Sequence, residues 1–218
     1  ERYINREDPI LIISFARSGD SPESLGVINL LNSICADVSH LIITCNPHGD
    51  LARYGDTSSQ RIILLPDITN DKGLAMTGSF TSMLLCGLLV SRIGDMPNLE
   101  PLINTIIQCG EYILKNHVTK LKGVSEMEFS RAVFLGSGPF KGIASESHLK
   151  LQELTLGNII CKYDSFLGLR HGPKAVLDKN TLIVYLFSND KYVQKFEKDL
   201  AKEIHEQKLG KYSMGIYD

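Results

Sequence analysis

The stretch Ile10-Leu11-Ile12-Ile13-Ser14-Phe15-Ala16-Arg17-Ser18-Gly19-Asp20-Ser21-Pro22-Glu23-Ser24 passes from an apolar run through a small-residue turn into a helix start. Ile10–Ile13 shows no alternation, the pattern of a strand covered on both faces. Ser21 suits a helix N-cap and Pro22 the first helical position. Further strand-length runs stand at Leu41–Cys45, Ile62–Leu65, Ala132–Leu135, Ile159–Tyr163, Leu182–Phe187 and Tyr212–Tyr217. Helical spacing fills Ser21–Ala36, Phe140–Gly157 and Lys191–Gln207. Alternation of this kind predicts right-handed crossovers and a mostly parallel sheet. From Leu74 to Leu121 the signal is helical, with a turn at Gly94–Asn98. Strands then resume, and Gly136-Ser137-Gly138-Pro139 repeats the strand-to-helix turn. The chain therefore reads as two α/β halves, 1–95 and 123–218, joined by a helical connection over 96–122.

The 218 residues are long enough for a sizeable core, and 43% hydrophobic with 22% charged residues is ordinary for a globular chain. Lys and Arg (23) nearly balance Asp and Glu (25), which argues against binding nucleic acid through bulk positive charge. Cys35, Cys45, Cys86, Cys109 and Cys161 are scattered, without a Cys-x-x-Cys pair, so neither a structural zinc site nor a disulfide framework is expected. That usage predicts reduced thiols and a cytoplasmic protein. Leu74–Ser91 is uncharged for 18 residues, but its Thr, Ser and Gly content favours a buried helix over a membrane span. The opening Glu1 points to an N-terminus internal to a longer protein.

Three segments carry candidate chemistry. In the first turn, backbone amides, the Ser18 and Ser21 hydroxyls and Arg17 together suit a phosphate; an ordinary capped turn would read the same way. No Gly-x-x-x-x-Gly-Lys-Ser/Thr sequence supports a nucleotide loop. In the second, Glu146, Lys150 and Glu153 stand at i, i+4 and i+7 on one helix face, with His148 directed elsewhere. That is either a surface ion-pair ladder worth a few tenths of a kcal/mol or a general base oriented by an ammonium. In the third, Arg170-His171-Gly172-Pro173 places a histidine on a turn fixed by Gly and Pro, suited to carrying a proton or simply to solvent. His40, His48, His117 and His205 lack such a setting and read as solvated.

Taken in order, these segments resemble the sugar isomerase (SIS) family. The first turn is similar to its Ser-x-Ser-Gly-x-Ser/Thr phosphate signature. Glu146–Glu153 resembles the Glu-x-x-x-Lys-x-x-Glu helix of glucosamine-6-phosphate synthase, and Arg170–Pro173 the Lys/Arg-His-Gly-Pro segment of the same enzymes. The phrasing Phe15–Ser24 with Tyr163–Lys174 resembles the AgaS branch, which serves galactosamine and N-acetylgalactosamine use. The resemblance implies two SIS-type three-layer αβα domains, flavodoxin-like with parallel sheets.

It also implies a sugar-phosphate isomerase or deaminase acting on galactosamine 6-phosphate, needing no cofactor or metal. A tagatose-6-phosphate ketose/aldose isomerase and a non-catalytic sugar-phosphate-binding module are the alternatives. Arg17, Ser18, Gly19 and Ser21 would hold the phosphate, with Glu146 and Ser137 as further substrate contacts. Glu153 would be the base, Lys150 its charged neighbour, and His171 the residue that opens the sugar ring. The implied assembly is a homo-oligomer with the active site at a subunit interface, binding neither nucleic acid nor membrane. Two departures stand out: Ala16 replaces a Ser, and Arg17 a Gln, of the synthase loop. Relatives carry further elements before Ile10 and after Asp218, so both sheets are expected to be incomplete and this chain to have little or no activity.

Overall fold

A computed structural model describes residues 4–54 and 59–217. The chain divides into two compact units, Glu1–Gly110 and Glu111–Asp218. Each is an α/β arrangement around its own parallel sheet.

In the first unit β1 (Ile10–Ala16), β2 (Val38–Thr44) and β3 (Gln60–Leu64) pair in the order β1-β2-β3. Helix α1 (Pro22–Ile34) crosses from β1 to β2, and Ile28 packs with Ile42 and Leu51 against Ala16, Leu25 and Ile62. Helices α2 (Gly78–Ser91) and α3 (Met96–Asn116) follow, the second crossing the division between units. The strand covered on both faces is β2, not β1. Along β1 burial alternates, and Leu11, Ile13 and Phe15 remain exposed on one face. Whether the second face of a strand is covered depends on what packs over it, which composition alone does not reveal. The uncharged Leu74–Ser91 stretch forms α2, but only Ser79 and Met83 of that helix are buried, while Leu84 and Leu88 stay exposed. No helix among the described residues is long and apolar enough to cross a membrane.

The second unit opens with the end of α3 and the short α4 (Val118–Ser125). Its sheet holds β4 (Arg131–Gly136), β5 (Ile160–Asp164), β6 (Thr181–Leu186) and β7 (Tyr212–Ile216), in the order β5-β4-β6-β7. The central strands β4 and β6 are buried almost throughout. Successive residues face opposite ways, as the period of a strand requires. Ala132, Phe134, Leu182 and Val184 pack with Ala144 of α5 (Pro139–Leu154). Val133, Leu135 and Ile183 pack with Phe166 and Leu169 of α6 (Phe166–Arg170) and with Leu200 and Ile204 of α7 (Lys191–Glu206). Helices thus cover both faces of this sheet. Asp190 caps α7, its Oδ1 accepting from the Tyr192 amide at 2.7 Å and the Val193 amide at 3.3 Å. Such a cap is worth about 1 kcal/mol. His40 is a correction to the sequence reading: it is 2% exposed, its Nε2 meets Asn32 Oδ1 at 2.9 Å, and burial lowers its pKa.

Candidate functional site

In the first unit the candidate phosphate loop runs from Arg17 to Ser21, since β1 continues through Ala16. Gly19 has φ +74°, a conformation that glycine adopts without steric cost. The loop is shaped from below by Asn46-Pro47-His48-Gly49-Asp50-Leu51, which follows β2. Asn46 Nδ2 donates to the Ser18 carbonyl at 2.9 Å, and the Leu51 amide to the Gly19 carbonyl at 3.0 Å. The Asp50 amide donates to Asp20 Oδ1, also at 2.9 Å. Gly49 lies so close that a Cβ there would stand 2.1 Å from the Ser18 oxygen. Carbonyls and one carboxylate of the phosphate loop are therefore consumed from beneath. Among the described residues, the Ser18, Gly19 and Ser21 amides donate to no protein acceptor. This is the arrangement of an anion cradle, with the first turn of α1 beside it.

Two details add to the expected loop. Ser21 stands at the N-cap with extended backbone, but its side chain makes no cap hydrogen bond. Its exposed hydroxyl stays uncommitted. Arg17 Nη1 donates to the carbonyl of Gly73 at 2.8 Å, so the guanidinium also ties the loop to the segment ahead of α2. That segment is itself held by Asp71. Its carboxylate accepts from the Ser79 hydroxyl at 2.6 Å and the Ser79 amide at 2.9 Å, and from the hydroxyl and amide of Thr77. These bonds, the Ser79 hydroxyl first, hold the Asp71 carboxyl far below the ordinary range. Asn46, Gly49, Asp50 and Asp71 escape a sequence search for chemistry. The Asn-Pro-His-Gly-Asp turn after a parallel strand is the signal that could have drawn attention to the first three of these; nothing comparable marks Asp71.

In the second unit α5 presents the charged trio. Lys150 Nζ lies 2.7 Å from Glu153 Oε2 and 3.4 Å from Glu146 Oε1. All three side chains are between a fifth and a third exposed, neither core nor free surface. Partial burial works against the Lys150 charge, but the Glu153 hydrogen bond and the two carboxylates outweigh it and raise its pKa. The ammonium is thus firmly kept, and Glu153 is oriented by a fixed cation. His148 turns away as expected: its Nδ1 meets the Ser145 carbonyl, and its ring packs 4.7 Å from that of Tyr163.

His171 ends α6 on an exposed turn. Its neighbours anchor that turn to α7. Arg170 Nη2 pairs with Asp199 at 2.6 Å and with Glu203 at 3.2 Å, and Lys174 reaches Glu203 as well. Hydrogen bonding from Lys174, followed by the charges of Lys174 and Arg170, holds the Glu203 carboxyl low. The histidine is presented outward from a clamped loop and makes no hydrogen bond to any described residue. Ser137 is not brought to the trio. It precedes α5, whereas Glu153 lies in the last turn of that helix, about 20 Å further along its axis at 1.5 Å per residue. Ser137 instead lines a separate cavity with Ser165, Phe166 and Glu197.

A parallel α/β chain with a serine-bearing strand-to-helix turn and a Glu-Lys-Glu helix face has the architecture of the sugar isomerase fold. Solved structures bear out the fold. The chain is 41% identical over 205 residues to the D-galactosamine-6-phosphate deaminase AgaS of Shewanella sp. (strain ANA-3), which covers 94% of the chain and 52% of that protein. Among solved structures it matches the putative tagatose-6-phosphate ketose/aldose isomerase of Clostridium novyi NT, with TM-score 0.92 and 43% identity over all of the chain and 56% of that one. It also matches the tagatose-6-phosphate ketose/aldose isomerase of Escherichia coli, with TM-score 0.90 and 35% identity over 98% of the chain and 58% of that one. No family model matches. The chain is a homologue of the AgaS-like proteins and has the SIS fold; it spans about half the length of the curated relatives it matches.

Proposed function

We propose that the protein carrying this chain converts galactosamine 6-phosphate and water to tagatose 6-phosphate and ammonia in the cytoplasm, within N-acetylgalactosamine and galactosamine catabolism. The observation that carries this reading is the Lys150 bridge between Glu146 and Glu153 in a chain 41% identical to a deaminase of that name. In the reaction Glu153 takes the proton from C2 of the open-chain amino sugar and returns it to C1. Lys150 keeps the carboxylate oriented and stabilises charge on the substrate side. The resulting C2 imine adds water and releases ammonia, leaving the ketose. Arg17, Ser18, Gly19 and Ser21 hold the phosphate, Glu146 contacts the sugar, and His171 opens the ring. No step requires a metal or an organic cofactor.

The reading includes two SIS-type flavodoxin-like domains, 1–95 and 123–218, with 96–122 between them. It also includes a homo-oligomer whose subunits meet at the active site. A second reading is favoured by the names of the two solved relatives: ketose/aldose isomerisation without loss of ammonia. The test is ammonia release from galactosamine 6-phosphate by the protein carrying this chain, with Glu153→Gln as control. Release that falls by about two to four orders of magnitude in the variant supports the base assignment. Absence of release with active interconversion of tagatose 6-phosphate selects the second reading, and absence of both refutes the enzyme.

A further inference from the structure

We propose that the cavity beside Ser137 is a binding site for a small ligand bearing a primary ammonium group, with Glu197 as its counter-ion. The cavity has a volume of about 430 Å3, enough for a monosaccharide. It opens at the carboxyl ends of β4 and β5, where the strand order β5-β4-β6-β7 turns back across β4. In open parallel sheets that crevice is the usual place for a ligand.

The chemistry comes from α7. Glu197 is only 1% exposed, yet it lines the cavity. Its Oε2 accepts from the Ser188 amide at 2.8 Å. Its Oε1 has no hydrogen-bond partner among the described residues, and no described Lys or Arg lies within ion-pair distance. A buried carboxylate with one oxygen unsatisfied is costly unless a cation or donor completes it. Phe166, Tyr192 and Phe196 also line this cavity. Aromatic rings attract cations and, with a carboxylate, form an ammonium-selective surround. Ser137 and Ser165 add hydroxyls that accept the remaining N–H groups. This site lies at the opposite end of α5 from Glu153 and does not depend on the function proposed above.

The test is a titration with galactosamine and with galactose, which differ only in carrying an ammonium or a hydroxyl at C2. Binding is read by calorimetry and by NMR of labelled Tyr and Phe rings. Galactosamine is expected to bind about ten-fold or more tightly than galactose and to shift the Tyr192 and Phe196 signals. Glu197→Gln keeps the shape and the Ser188 contact, and is expected to abolish the preference. Tyr192→Ala removes a ring that is 69% exposed, so folding is spared; it is expected to weaken galactosamine several-fold, and it decides the matter if Glu197→Gln does not fold. Glu153→Gln leaves the preference intact, which separates this site from the one on α5. Equal affinity for the two sugars, a preference that survives in Glu197→Gln, or shifts confined to the surroundings of Lys150 would overturn the proposal.

Discussion

Replacing Gly49 with Ala tests whether the second loop sets the phosphate loop. The new Cβ would stand 2.1 Å from the Ser18 oxygen, where real Cβ atoms essentially never come closer than 3.0 Å. The two must part by about 0.9 Å at least. Neither side is a flexible side-chain tip: one is backbone, and it is pinned by the Asn46 bond at 2.9 Å and the neighbouring Leu51 bond at 3.0 Å. Overpacking of this kind costs roughly 1–3 kcal/mol, and losing one of those bonds adds about 0.5–1.5 kcal/mol. The expected destabilisation is therefore about 1.5–4.5 kcal/mol, on the order of 10 °C or more in the melting of a unit this size. The displaced Ser18 carbonyl carries the Ser18 and Gly19 amides with it, so affinity for inorganic phosphate should fall about ten-fold or more. The control is Gly26→Ala in α1, where a Cβ meets nothing within 4 Å. That variant should gain about 0.5–1 kcal/mol through helix propensity and leave phosphate binding unchanged. Thermal melting and phosphate calorimetry on both variants decide the question. If Gly49→Ala melts with the parent, the clash is relieved in some other way; if it melts early yet binds phosphate normally, the loop does not position the cradle.

Three further outcomes follow from the geometry. Lys150→Met leaves Glu146 and Glu153 facing each other and should cost about 1 kcal/mol, since water screens these partly exposed groups. Because the folded pKa of Lys150 is raised above 10.5, its contribution is complete below that pH and fades as pH rises through the raised value; denaturant melts at neutral and strongly alkaline pH should show the gap closing. Asp71 shows the opposite sign: its folded pKa is depressed, so its stabilisation is present above the ordinary carboxylate range and is lost on acidification, and Asp71→Asn should blunt the acid sensitivity of α2 seen by hydrogen exchange. Leu200→Ala opens a hole in the fully buried face shared by α6, α7 and the second sheet, and should cost roughly 2–5 kcal/mol by denaturant titration.

Much of the fold was legible because its signals are local. The runs at Ala132–Leu135 and Leu182–Phe187 read as strands covered on both faces, and β4 and β6 are covered in that way. The Glu146, Lys150 and Glu153 spacing put three charges on one face by helix geometry alone, and the ion pairs form as that geometry requires. Ile10–Ile13 misled for a physical reason. An apolar run reports the preference of its residues, but whether β1 is covered depends on what lies over it, and within this chain Leu11 and Ile13 are exposed. His40 erred in the other direction: nothing adjacent in sequence marks it as buried, because its partner Asn32 comes from the preceding helix.

The candidate site divides along the same line. Residue types suited to a phosphate could be named from Arg17 to Ser21, but their orientation could not, because it is imposed by groups about 30 to 55 positions away. Asn46 and Asp50 occupy the acceptors of the loop, and the Gly73 carbonyl occupies one end of Arg17. What remains without a protein acceptor is a set of amides and the Ser21 hydroxyl, so these remote contacts leave a capped turn suited to an anion. Glu197 carries the same lesson in the second unit. Within α7 it reads as one more charge on an amphipathic helix, and only the fold turns it inward, leaving a carboxylate oxygen without a partner beside a ring-lined cavity. A buried acid held in that state is costly to the fold, and a cation entering the cavity would offset that cost, which is why the galactosamine and galactose comparison bears on stability as directly as on binding. Saturating galactosamine should raise the melting temperature of the parent and leave that of Glu197→Gln where it was.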